Sequence, residues 1–144
     1  MSDLPLTDQA FRRKDDRGRH PEMTYGGALS FMRRNYSRDL IGVDIAISGI
    51  PFDAATSFRP GARFGPAAIR AASTQLAELL AFPDGSDPFD SLAVVDYGDC
   101  TLDYGFPGKV VEQVEAHALE ILETGTGMLT FGGDHFVTYP LLKA

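Results

Sequence analysis

Apolar residues along the chain fall into three short continuous runs, each followed by a longer stretch in which they recur at intervals. Val43-Asp44-Ile45-Ala46-Ile47-Ser48-Gly49-Ile50, Leu92-Ala93-Val94-Val95 and Met128-Leu129-Thr130-Phe131 are short and largely apolar. They predict three strands buried on both faces. After the first run, a loop rich in Gly, Pro, Ser and Arg (residues 55–65) leads to Pro66. Proline suits the first helical position, where its missing N–H costs nothing. Ile69, Ala72, Leu76, Leu79 and Leu80 then recur at three- and four-residue steps, predicting one apolar helix face. Pro107-Gly108 opens a second such stretch, Val110, Val114, Ala118, Ile121 and Leu122, which ends at Gly125 and Gly127. Phe136, Val137, Leu141 and Leu142 begin a third.

Strands alternating with helices imply right-handed crossovers and a mostly parallel sheet with helices on both faces, a three-layer αβα fold. The last helix has hardly begun at Ala144, and three strands leave sheet edges that need cover. The expectation is therefore an incomplete fold, either the front of a longer protein or a chain completed by a partner.

Composition narrows the class. The chain has 144 residues and a formal net charge of −7, with a pI near 4.8, which argues against nucleic acid as the main partner. One globular domain is expected. Charge divides the chain: residues 1–40 carry eight Lys/Arg and six Asp/Glu, whereas residues 41–144 carry five and fourteen. Residues 1–40 are accordingly read as an N-terminal arm, including Arg12-Arg13-Lys14 and Arg33-Arg34, and residues 41–144 as the α/β domain. The arm either docks on an acidic surface or is a solvated leader. A lone cysteine, Cys100, excludes an internal disulfide and is read as structural in a reducing compartment. With no secretory leader and no run long enough to cross a bilayer, the expected location is cytoplasmic, with no membrane partner.

In open α/β sheets ligands bind beyond the carboxyl ends of the strands. The first strand delivers Asp53 there, the second Asp96 and Asp99, the third Asp134 and His135. Carboxylates and an imidazole on one rim suit a divalent cation, but carboxylates at strand ends equally cap helices and bond turn N–H groups. His135 follows Gly132-Gly133, which would let the backbone approach a ligand closely or take up positive φ. His20 and His117 are read as ordinary exposed residues. No phosphate-cradling loop, dinucleotide fingerprint or Gly-x-Ser-x-Gly elbow occurs.

Four blocks together resemble the ureohydrolase (arginase/agmatinase) family, most of all its agmatinase branch. They are Gly49-Ile50-Pro51-Phe52-Asp53-Ala54-Ala55-Thr56-Ser57, Arg59-Pro60-Gly61-Ala62-Arg63-Phe64-Gly65-Pro66-Ala67-Ala68-Ile69-Arg70, Val95-Asp96-Tyr97-Gly98-Asp99 and Phe131-Gly132-Gly133-Asp134-His135-Phe136-Val137-Thr138. The resemblance implies an arginase-like αβα enzyme that hydrolyses agmatine, a small cationic guanidino substrate, to putrescine and urea at a centre of two Mn2+ ions. A resonance-stabilised guanidinium is a poor electrophile, and a metal-activated nucleophile meets that difficulty at neutral pH. By the same resemblance His135 corresponds to the first manganese ligand, Asp134 to an adjoining position that supports it without binding metal, and the complete enzyme is a homo-oligomer, trimer or hexamer. The resemblance also matches the Arg59–Ile69 loop to the segment bordering the active-site mouth and subunit contacts, without assigning its individual residues a role. The family's later ligand blocks, of the Asp-Ala-His-x-Asp and Asp-x-Asp kind, do not occur in these residues, so the chain alone is expected to be inactive. The alternatives are another guanidino-acid ureohydrolase, of the guanidinobutyrase kind, a non-catalytic partner module of a full-length homologue, or an unrelated metal-binding α/β domain.

Overall fold

The computed structural model describes residues 25–144. The basic cluster Arg12-Arg13-Lys14 lies outside the described residues. Four strands, β1 (Asn35–Tyr36), β2 (Ile45–Gly49), β3 (Val94–Asp99) and β4 (Gly127–Phe131), form one sheet in the order β1-β3-β2-β4. Every pairing is parallel, as expected when helices connect the strands. The three expected strands are β2, β3 and β4. The fourth, β1, is only two residues long and carries no hydrophobic run.

Residues grouped with the arm on charge are therefore part of the sheet domain. Asn35 and Tyr36 pair with Val95 and Asp96, and just before them Arg33 and Arg34 are almost wholly buried. The Arg34 guanidinium lies 4.0 Å over the Phe89 ring, and its Nε donates to the Met32 carbonyl at 3.2 Å. Arginine can be buried this way because a planar guanidinium stacks on aromatic faces.

Three helices flank the sheet: α1 (Gly65–Ser73), α2 (Val110–Leu122) and α3 (Thr138–Lys143). Alternation along β2 assigns its faces. Ala46 packs with Val95, Tyr97 and Ile121 of α2, whereas Ile47 packs with Val94 and Phe89. At the carboxyl ends of the strands Ile50, Phe52, Cys100, Val110, Val114 and Val137 make a third apolar cluster. The expected α2 stripe is observed at Val110, Val114, Ala118 and Ile121, with Leu122 turned partly to solvent.

The α1 stripe is not. Ile69, Leu76, Leu79 and Leu80 are 40–61% exposed, and the buried positions are Pro66, Arg70, Ser73, Thr74 and Ala77. Two causes are visible. Arg70 is drawn inward by two carboxylates of β3, and the α-helix gives way after Ser73 to a 3-10 turn, Thr74–Leu76. A 3-10 turn advances by three residues rather than 3.6, so the phase of the stripe shifts.

Candidate metal-ligand rim and its supports

The strand ends gather as expected, but most of their carboxylates are already engaged. Between Ile47 and Ser48 the β2–β3 register slips by one residue, which leaves a bulge in β3 beside Tyr97. Gly98 makes this possible at φ +85°, and a Cβ there would collide with the Tyr36 phenol. Next to the bulge, Asp96 is fully buried and takes Arg70 in a two-pronged bond, Nε at 2.8 Å and Nη2 at 3.0 Å. It also accepts from the Phe31 and Gly98 N–H groups. Arg70 reaches Asp99 through Nη1 at 2.6 Å. Burial opposes the charge on Arg70, but the two carboxylates outweigh it and raise its pKa.

Asp53 is similarly occupied. It accepts Gly61 N–H at 2.7 Å, Arg63 N–H at 3.3 Å and Arg63 Nε at 2.7 Å, and pairs with Arg63 Nη2 at 2.5 Å. The Arg63 guanidinium holds its carboxyl down at about 2. Asp53 and Asp96 do bond turn N–H groups, the alternative read for these carboxylates, but each is also held by an arginine, and Asp99 is held by Arg70.

Asp134 and His135 lie on the turn beyond β4. Asp134 is buried, and its carboxylate accepts the Phe136 N–H at 3.1 Å and the Ala55 N–H at 2.8 Å. It thereby caps the short 3-10 turn His135–Val137 and ties that turn to the loop after β2. Neither glycine of Gly132-Gly133 has positive φ. Gly133 is required for another reason: a Cβ would overlap the Phe52 backbone, whose carbonyl accepts the Asp134 N–H at 2.7 Å. The close approach is of backbone to backbone, not of backbone to ligand.

His135 is exposed. It stands between two open grooves. One, about 380 Å3, is bordered by Thr130, Thr138 and Leu141; the other, about 440 Å3, by Ser57, Phe58 and Arg59. An imidazole beside open space is available as a ligand. Among the described residues, however, no group of three or more His, Cys, Asp or Glu side chains could hold a metal ion. The described residues thus offer one exposed imidazole at the rim and do not by themselves complete a metal site.

His117 departs from the expectation of an exposed residue. It is 6% exposed, its Nε2 lies 2.6 Å from Ser48 Oγ, and its ring meets Tyr97 edge-on at 5.6 Å. Burial, with help from Arg38, lowers its pKa against the opposing pull of Glu120 and Asp99. Cys100 is buried as expected, and burial pushes its thiol up to about 11. The arginines that neutralise the rim, Arg63 and Arg70, were not foreseen. Cations within one helix-and-loop of the strand-end aspartates are the signal that could have found them. No helix among the described residues is long and apolar enough to cross a membrane.

Comparison with known proteins places these features in a family. Residues 43–144 match the Arginase family. An agmatinase of Chromobacterium violaceum is 61% identical over 145 residues, covering 100% of this chain and 45% of that protein. The crystal structure of a hypothetical agmatinase from Burkholderia thailandensis superposes with a TM-score of 0.91 at 58% identity, covering 95% of this chain and 43% of that one. A Trypanosoma cruzi formiminoglutamase crystallised with Mn2+ superposes with a TM-score of 0.61 at 26% identity, covering 72% and 35%. The chain thus spans less than half the length of these relatives. On the family match, which takes in β2 to α3 with the rim they carry, the chain belongs to the arginase family.

Proposed function

We propose that this chain is the N-terminal part of an agmatinase-type ureohydrolase, which hydrolyses agmatine to putrescine and urea with a pair of Mn2+ ions. The observation that carries the reading is the placement of His135, exposed between two grooves on a turn fixed from behind by Asp134 and Gly133. Hard carboxylate and imidazole donors suit Mn2+. Bound manganese would supply Lewis-acid activation of the attacking water. His135 is the one residue described here that would bind it, and the other donors would come from further sequence of the longer protein. Asp134 holds the turn that carries His135. The longer protein is read as a cytoplasmic homo-oligomer, trimer or hexamer. Relatives named agmatinase favour agmatine over 4-guanidinobutyrate as the substrate.

Urea release by the full-length protein, loaded with Mn2+ and offered each compound in turn, tests the proposal. Faster release from agmatine is expected. Preference for 4-guanidinobutyrate would move the protein to the alternative substrate class, and no urea from either would refute the reading.

A further inference from the structure

Residues 55–59 form one wall of the groove beside His135, yet the loop that carries them, residues 54–61, has almost no packing of its own. All of these residues except Thr56 are exposed, so apolar burial cannot hold them in place. Polar bonds do so instead, and two carboxylates receive most of them. At the near end, Ala55 N–H is bound by Asp134, the neighbour of His135. Thr56 Oγ1 donates to the Asp53 carbonyl at 2.9 Å. At the far end, Gly61, at φ +129°, turns its N–H to the Asp53 carboxylate. Arg63 closes on the same carboxylate through Nε and Nη2. Its guanidinium lies 4.9 Å over the Tyr104 ring, whose hydroxyl donates to the Pro51 carbonyl. The path from Asp53 back to Asp53 is a closed ring of backbone and side chain, and Phe58 and Arg59 stand at its tip beside the groove.

We infer that Asp53 and Arg63 are positioning residues: their ion pair latches residues 54–61, the loop carrying the wall that receives the part of the substrate remote from its guanidinium. This rests on the proposed hydrolysis. Neither side chain touches the reacting atoms, so the latch acts on binding and leaves the chemical step alone. A loop that must be ordered by the substrate reduces apparent affinity by the fraction of time it spends in the competent form. Breaking the pair therefore raises KM and leaves kcat almost unchanged.

The test uses the full-length protein with Arg63→Gln, which leaves Asp53 its Gly61 bond, and Arg63→Lys, which keeps the charge but not the fork. Two readouts are taken. Chymotrypsin cleavage after Phe58 reports the order of the loop without reference to activity, and urea release from agmatine reports KM and kcat. For Arg63→Gln the expected results are cleavage about fivefold faster and KM about tenfold higher, with kcat within about twofold, for a loop closed one-tenth of the time. Arg63→Lys is expected to recover part of both effects. Unchanged cleavage and unchanged KM would overturn the inference. So would a fall in kcat that tracks a lowered melting temperature, since that marks a purely structural residue. If the unaltered protein releases no urea, the functional reading fails. In that case faster cleavage would keep the latch without its substrate role, and unchanged cleavage would refute the latch as well.

Discussion

Replacing Gly133 by alanine isolates the backbone packing that places His135. The residue is not at positive φ, so the added methyl brings no conformational penalty of that kind. Its cost is steric. The Cβ would overlap the Phe52 carbonyl oxygen and lie 2.7 Å from both Phe52 C and Phe52 N, and main chain leaving the central strand cannot swing aside as a flexible side chain can. The two segments must separate, which breaks the 2.7 Å bond from Asp134 N–H to Phe52 O and loosens the bond from Ala55 N–H to Asp134. Each buried polar group left unpaired costs about 1–3 kcal/mol, so the loss should be about 2–5 kcal/mol. Gly132→Ala is the control. Its Cβ would meet nothing closer than the Val137 methyl at 3.4 Å, and the cost should stay under about 1 kcal/mol, as for ordinary substitutions. Urea denaturation of both variants, read at equal m-values, measures the difference. Equal midpoints for the two alanine variants would refute the account of the turn.

Other consequences concern the buried polar groups. Asp96→Asn leaves Arg70 buried with its two-pronged partner gone and should cost about 3–5 kcal/mol in thermal or chemical denaturation, more than Asp99→Asn, because Asp99 is 39% exposed. His117 is held neutral by burial and takes up a proton more readily once unfolded. Its contribution to stability is therefore complete above about pH 6.5 and lost as pH falls below that value. His117→Gln should flatten that part of the stability–pH curve. With its thiol buried and pushed up to about 11, Cys100 should react with a thiol reagent at pH 8 at least about a hundredfold more slowly in the folded than in the unfolded protein.

Much of the architecture was legible because buried parallel strands leave an unmistakable mark. Continuous apolar runs at β2, β3 and β4 show it, as does the α2 stripe. β1 left no such mark, since Asn35 and Tyr36 pair with Val95 and Asp96 through main chain and carry no apolar run. The α1 stripe misled because hydrophobic periodicity assumes that the greasiest face turns inward. Here the ion pairs of Arg70 with Asp96 and Asp99 decide the rotation instead. The same blindness affected Arg33 and Arg34, whose charge suggested solvent although both are buried; Arg34 is held there by stacking on Phe89 and a bond to the Met32 carbonyl that no composition records. His117 looked exposed because its helix neighbours Glu115 and Ala116 gave no hint of Ser48 across the sheet. At the rim, strand ends did locate Asp53, Asp96, Asp99, Asp134 and His135. The cations and N–H groups that occupy the aspartates come from residues distant in sequence, which one-dimensional reading cannot pair.

The manganese content of the full-length protein and of its His135→Ala variant, measured beside urea release from agmatine, tests the central claim most directly. His135 is exposed and packs in none of the apolar clusters, so the substitution should leave the melting temperature within a few degrees while both bound manganese and urea release fall by at least about a hundredfold in apparent metal affinity and rate. A His135→Ala protein that keeps its manganese and still releases urea at the unaltered rate would contradict the account.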